Sequence, residues 1–112
     1  MEGLRFEFRN GSLLSSYDGE LTLELTGDLK REVQEKIDST GCELLAMDLS
    51  RVNFIDSSGI GFLVSLASRL KSAGIDFVLY RPSAQVAKTL ELVQLKDHFK
   101  TVDSERELEE MF

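Results

Sequence analysis

The stretch Leu44-Leu45-Ala46-Met47-Asp48-Leu49-Ser50-Arg51-Val52-Asn53-Phe54-Ile55-Asp56-Ser57-Ser58-Gly59-Ile60-Gly61-Phe62-Leu63-Val64 governs how the rest of the chain is read. Leu44 to Met47 is continuously apolar, the pattern of a strand covered on both faces. Asp56-Ser57-Ser58-Gly59 then offers side-chain acceptors suited to the first turn of a helix. Beyond it Ile60, Leu63, Val64, Ala67 and Leu70 form one stripe at helical spacing, with Gly74 past the end. A buried strand running through a polar turn into an amphipathic helix is half of a parallel βαβ unit.

Toward the C-terminus the alternation continues. Ile75 to Tyr80 reads as a strand, and Ser83 to about Leu95 as a helix carrying Val86, Leu90 and Val93. Pro82 sits between them, where its fixed φ and missing donor do no harm. Phe99 to Val102 reads as a last short strand, and Ser104-Glu105-Arg106-Glu107 as a capping box opening a terminal helix toward Phe112. Toward the N-terminus, Leu29, Val33 and Ile37 are four apart, which predicts a short amphipathic helix stopped near Gly41. Further back the period changes to two. Leu4, Phe6 and Phe8 alternate with Arg5, Glu7 and Arg9, and Asn10-Gly11 suits a tight hairpin. Ser12 to Tyr17 makes a second strand ended by Asp18-Gly19. Leu21, Leu23 and Leu25 predict a third, closed by Gly27. The expected order is β-β-β-α-β-α-β-α-β-α, an α/β chain with an antiparallel N-terminal meander and parallel strands joined by right-handed crossovers. Residues 1–112 show no repeat, low-complexity segment or linker and are expected to form a single domain.

Composition limits what such a domain can do. The chain has 112 residues, 42% hydrophobic and 29% charged, with 13 Lys+Arg against 20 Asp+Glu for a net charge of -7. That is long enough for a core that needs no disulfide or metal. The acidic balance argues against nucleic acid as partner, since a phosphate backbone selects a basic footprint. A lone cysteine, Cys42, excludes an internal disulfide. The apolar runs are too short for membrane insertion, and Met1-Glu2-Gly3 begins nothing like a signal peptide. The expected setting is cytoplasmic.

Few residues are candidates for chemistry. His98, the sole histidine, lies in the polar Lys96-Asp97-His98 connection and has no companions for a metal site. Cys42 precedes a buried strand and reads as a small apolar filler. Gly59-Ile60-Gly61 is too short for a phosphate loop and lacks the following Gly-Lys-Ser/Thr. Glu109-Glu110 reads as a solvated helix face. No acid–base pair or nucleophile–base set is evident, so no catalytic residue, metal or cofactor is expected.

Asp56-Ser57-Ser58-Gly59 holds more than a helix start requires. One capping residue suffices, and three stand in a row before two glycines. Free N–H groups and the positive end of the helix dipole make this a seat for an anion. A phosphate on a serine here would add about -1.5 to -2 charges beside Asp56. On a helical wheel Gly61, Ser65, Ser68 and Ser72 follow Ser57 within a quarter turn, roughly opposite Leu63, Leu66 and Leu70. Phe62 and Arg69 fall along the edge. A smooth face flanked by an aromatic and an arginine resembles a docking surface, where an ordinary solvated face would carry Lys and Glu.

Met47 to Gly61, with its Asp56-Ser57-Ser58-Gly59-Ile60-Gly61 core after a buried strand, resembles the signature of the STAS domain, and in particular bacterial anti-sigma factor antagonists. Thr26-Gly27-Asp28-Leu29 resembles the family's earlier Gly-acid-hydrophobic turn. Ser83 to Leu95, ending in Leu92-Val93-Gln94-Leu95, resembles the helix before its last strand. The resemblance spans nearly the whole chain. It implies a STAS-like fold, a mixed sheet with its helices packed mainly on one side. It also implies a mechanism. The unphosphorylated protein binds an anti-sigma factor that is itself a serine kinase, phosphorylation of the serine releases it, and a PP2C-type phosphatase resets the cycle. By position Ser57 is then the phosphoacceptor, with Ser58 as the alternative, and Asp56 is the flanking acid. Partner contact is expected from Asp56, Ser57, Ser58, Gly59, Gly61, Phe62, Ser65, Ser68 and Arg69. The chain departs from the family in three ways: Gly27 to Glu43 looks short, Lys30 stands where an aspartate is common, and the N-terminal hairpin looks extra. A second class within the resemblance is a subunit that is never phosphorylated, as in a stressosome or a lipid-transport ABC complex.

Overall fold

The computed structural model describes all residues from Met1 to Phe112. The strands are β1 (Leu4–Arg9), β2 (Ser12–Leu21), β3 (Leu44–Ile55), β4 (Asp76–Tyr80) and β5 (Lys100–Val102), and the helices are α1 (Leu23–Thr40), α2 (Ser57–Ser72), α3 (Ala84–Leu92) and α4 (Glu105–Met111). A single 3₁₀ turn, Lys96–His98, precedes β5. The five strands lie in chain order, β1-β2-β3-β4-β5. Only β1–β2 is antiparallel, and β2, β3, β4 and β5 run parallel to their neighbours.

That order has a consequence for the layers. Three successive parallel crossovers, each stepping one strand the same way with the same right hand, must deliver their helices to one side of the sheet. Leu29, Val33 and Ile37 of α1, Leu63, Leu66 and Leu70 of α2, and Val86 and Leu90 of α3 accordingly join one cluster with Leu13, Leu45, Met47, Leu49 and Leu79. The opposite face holds a smaller cluster of Leu44, Ala46, Val78, Tyr80 and Val102, covered by Leu108 of α4. Most of the helical mass is therefore on one side, as expected.

The expected third strand is absent. β2 does not stop at Asp18-Gly19 but runs on to Leu21 through two register shifts against β3, between Ser16 and Asp18 and between Gly19 and Glu20. Gly19 takes φ 148°, and the turn chemistry of this pair is spent on a bulge. The Tyr17 ring lies over it, its hydroxyl donating to the Glu20 carbonyl at 3.0 Å. Burial, with Glu20 and Asp18 nearby, raises the Tyr17 pKa above its ordinary value. After Thr22 the chain is helical, so Leu23, Leu25 and the whole of Thr26-Gly27-Asp28-Leu29 belong to α1. The helical stripe in fact begins at Leu25, continuing through Leu29, Val33 and Ile37. Three alternating leucines imitated a strand because a period of two and a period of four share every fourth position. The apparent shortness of Gly27 to Glu43 disappears, since α1 has 18 residues, whereas the N-terminal hairpin is present as β1–β2.

Smaller differences lie at the ends. α3 stops at Leu92, three residues before the expected end, and Leu92 and Val93 are exposed. Cys42 is buried, and loss of solvent raises its thiol pKa. His98 is exposed, with its ring edge-to-face on Phe99 at 5.1 Å. Ser104 caps α4 by accepting from Glu107 N–H at 3.1 Å. Glu109 is more than a solvated acid: Arg9 Nη2 donates to its Oε1 at 2.7 Å, an exposed bridge tying α4 to β1.

Candidate functional site: the shared corner at Asp56

β3 delivers the chain to Asp56, whose N–H donates to the Leu21 carbonyl at 3.1 Å and so joins the ends of two parallel strands. Asp56 is extended and caps α2, its Oδ1 accepting from Ser58 N–H at 2.9 Å and Gly59 N–H at 3.0 Å. Its other oxygen, Oδ2, accepts from Leu23 N–H, the first amide of α1, at 3.2 Å. Thr22, the residue before α1, makes no side-chain cap of its own. One carboxylate thus holds the N-termini of two helices. Both helices point the positive ends of their macrodipoles at it.

Gly59 fixes how closely this corner packs. A Cβ there would stand 2.4 Å from the Leu21 carbonyl oxygen and 2.7 Å from Ile55 Cγ1. No side chain can be accommodated without moving backbone. Gly59 is buried and serves the junction between α2 and β2; it is not part of the accessible surface.

Ser57, the first residue of α2, is exposed, whereas Ser58 is half-buried. Along the helix Gly61, Ser65 and Ser68 are exposed as the wheel places them. Phe62 is not at an edge: only 6% of it is exposed, and it packs in the main core. Phe62 lies one position from core-facing Leu63, and the wide apolar stripe of a helix packed against both α1 and the sheet takes it in. Arg69 is also engaged within the fold, half-buried with Nη1 donating to Gln34 Oε1 of α1. Both therefore brace α2 from the side of the core. The anion seat is likewise altered, because Asp56 already occupies two of the first-turn N–H groups of α2.

Two residues beside the corner were not anticipated. Leu23 is 73% exposed at the start of α1 and Phe54 is 42% exposed near the end of β3. Leu23 is brought to Asp56 by the cap, across 33 positions of sequence. Its misplacement on a strand hid it. Phe54 follows Asn53 in the exposed pair between buried Val52 and Ile55. The surface around Ser57 is thus small and hydroxylic along α2, with exposed Leu23 beside it at the start of α1. No group of three or more His, Cys, Asp or Glu side chains is placed to hold a metal ion. No helix is long and apolar enough to cross a membrane.

Comparison with known proteins agrees with this architecture. A candidate anti-sigma factor antagonist of Thermotoga maritima superposes with a TM-score of 0.87 at 24% identity, over 98% of this chain and 94% of its own. The anti-sigma factor antagonist SpoIIAA in its unphosphorylated form gives 0.77 at 20% identity, over 94% and 91%. The Bacillus cell fate determinant SpoIIAA in its phosphorylated form gives 0.74 at 19% identity, over 96% and 97%. Residues 4–108 match the sequence profile of the STAS domain. With a matching profile over nearly its whole length and the same five-stranded mixed sheet, the chain belongs to the STAS domain family.

Proposed function

We propose that this protein is an anti-sigma factor antagonist that binds an anti-sigma factor serine kinase while Ser57 is unmodified and is released when Ser57 is phosphorylated. The observation that carries this reading is the exposure of Ser57 at the corner where Asp56 gathers both helix N-termini. A hydroxyl there is open to a kinase, and Ser58 beside it is half-buried. The docking surface comprises Ser57, Gly61, Ser65 and Ser68 with Leu23 and Phe54, and Asp56 organises it. Phe62, Gly59 and Arg69 support it from beneath.

Gly61 adds a physical argument. Nothing lies within 4 Å of a Cβ built at this position. An exposed mid-helix glycine costs about 1 kcal/mol relative to alanine. The fold gains nothing from it, whereas a partner backbone gains close approach.

Phosphorylation acts here by repulsion. Asp56 already accepts from the first-turn N–H groups, so a phosphate on Ser57 adds about -1.5 to -2 charges next to an existing carboxylate. A partner seated on Leu23 and Phe54 then meets new bulk and charge at the centre of its interface. A PP2C-type phosphatase restores the binding form. The relatives whose structures carry and lack the phosphate support this cycle. The reading places the protein in the cytoplasm of a bacterium as a regulator of transcription that acts by binding and not by catalysis.

The test uses the cognate kinase. Ser57→Ala is expected to bind it and resist labelling, and Ser57→Asp to lose binding by at least about tenfold, which is about 1.4 kcal/mol. Labelling of Ser57→Ala equal to that of the unaltered chain overturns the assignment.

A further inference from the structure

The chain-order sheet leaves one face largely free of crossover helices, and α4 covers only part of it. The rest carries a cleft of about 250 Å³ lined almost wholly by polar side chains. We propose that this cleft, built by Arg5, Arg51 and Arg81 on the sheet face away from α1 and α2, binds a compact phosphate group.

The cleft is set by register. Arg5 of β1 stands opposite Ser16 of β2, Ser16 pairs with Asp48 of β3, and Asp48 with Tyr80 of β4. These four residues form one row across four strands. Arg81 follows Tyr80 directly, and its guanidinium lies over the Tyr80 ring, 4.6 Å from the centroid. Its backbone is held at φ 47° with its N–H donating to the Val102 carbonyl at 2.9 Å. Arg51 enters from the next row, opposite Asp18. Three of the 13 Lys and Arg residues in a chain of net charge -7 thus stand among the eight residues lining the cleft.

Their charges are poorly matched within the fold. Arg51 makes one loose, exposed pair with Asp18 at 3.8 Å. Arg5 and Arg81 appear in no ion pair or side-chain hydrogen bond, although other surface arginines such as Arg9 and Arg31 have carboxylate partners at 2.7 and 3.1 Å. The one other acid in the cleft, Asp48, is half-buried and turned to its own strand, Oδ1 accepting from Ser50 N–H at 2.9 Å. Planar guanidinium forks with unassigned donors favour an oxyanion, and phosphate presents oxygens to more than one of them at once. The small volume admits a phosphate or pyrophosphate group and leaves any larger remainder outside.

This site is separate from Ser57 and does not depend on the function proposed above. The test is an amide-resolved NMR titration of the full chain with inorganic phosphate, pyrophosphate and AMP at matched ionic strength. Saturable shifts at Ser16, Asp48, Arg51 and Arg81 are expected, with half-saturation below about 1 mM for at least one probe. The combined Arg5→Gln and Arg81→Gln variant is expected to weaken binding at least about tenfold while keeping its spectrum elsewhere and its Tm. Equal affinity for inorganic phosphate and AMP identifies a free anion as the ligand. Tighter AMP binding with shifts beyond the cleft identifies the phosphate of a larger molecule, and either result supports the site. Shifts centred on Ser57 to Gly59, shifts that persist in the double variant, failure to saturate, or equal competition by acetate would each overturn it.

Discussion

The two helices that meet at Asp56 begin in opposite ways. α2 starts with its own cap, an aspartate immediately before the first helical residue, accepting from the N–H groups two and three positions on. α1 follows Thr22, whose side chain caps nothing, and takes its acceptor from a residue 33 positions away. The start of α2 is therefore a local property and that of α1 a tertiary one. The same carboxylate serves both, so the rigidity of the surface around Ser57 depends on two chain segments being held together and not on either alone.

The harshest way to break this arrangement is to push the segments apart. Gly59→Ala places a methyl against the Leu21 carbonyl oxygen and Ile55. It is expected to lower stability by about 3 kcal/mol in urea unfolding, at the upper end of ordinary overpacking. A loss under about 0.5 kcal/mol would show that the corner yields. Removing the shared acceptor comes next. Asp56→Ala strips the cap from both helices and is expected to cost about 2 kcal/mol, roughly two caps' worth. Asp56→Asn keeps one acceptor oxygen and loses the other, so about half that loss is expected. Hydrogen exchange distinguishes the two helices: Leu23 N–H should speed up in Asp56→Asn while Ser58 and Gly59 stay protected.

A third substitution runs the other way. Gly27 lies inside α1, with nothing within 4 Å of a Cβ built there. Gly27→Ala is expected to stabilise by about 0.5–1 kcal/mol. A residue in the expected turn would gain nothing, so an unchanged or lowered urea midpoint would restore that reading. The smallest effect separates the idle cap from the working ones. Thr22→Ala is expected to change stability by under about 0.5 kcal/mol. Ser83→Ala, which loses acceptance from Val86 N–H at 3.2 Å and donation to the Val52 carbonyl at 2.7 Å, should cost about 1 kcal/mol or more. Equal losses would mean that Thr22 caps α1 in solution.

The site divides along similar lines. Ser57, Gly61, Ser65 and Ser68 were legible as an outward face because helical geometry converts spacing directly into direction. Phe62 and Arg69 were not, because the wheel fixes an angle and leaves the depth to neighbouring elements. The flank of α2 carrying them meets α1, through Gln34 for Arg69. Leu23 was lost with the strand assignment. The arginine cleft had no linear signal at all, its residues being spread over Arg5, Arg51 and Arg81 on three strands or their ends.

Sequence alone determined the alternation of strands and helices from Leu44 onward, the capped turn at Asp56-Ser57-Ser58-Gly59, and the acidic character of the chain. Each rests on contacts within a few residues or on composition, where periodicity and local hydrogen bonding suffice. Tertiary structure decided where β2 ends and α1 begins, which side of α2 is accessible, and how the free sheet face is furnished. Those depend on register across strands and on an acceptor contributed from a distant segment, and a leucine at position 23 has no means of encoding that its amide will meet a carboxylate at position 56.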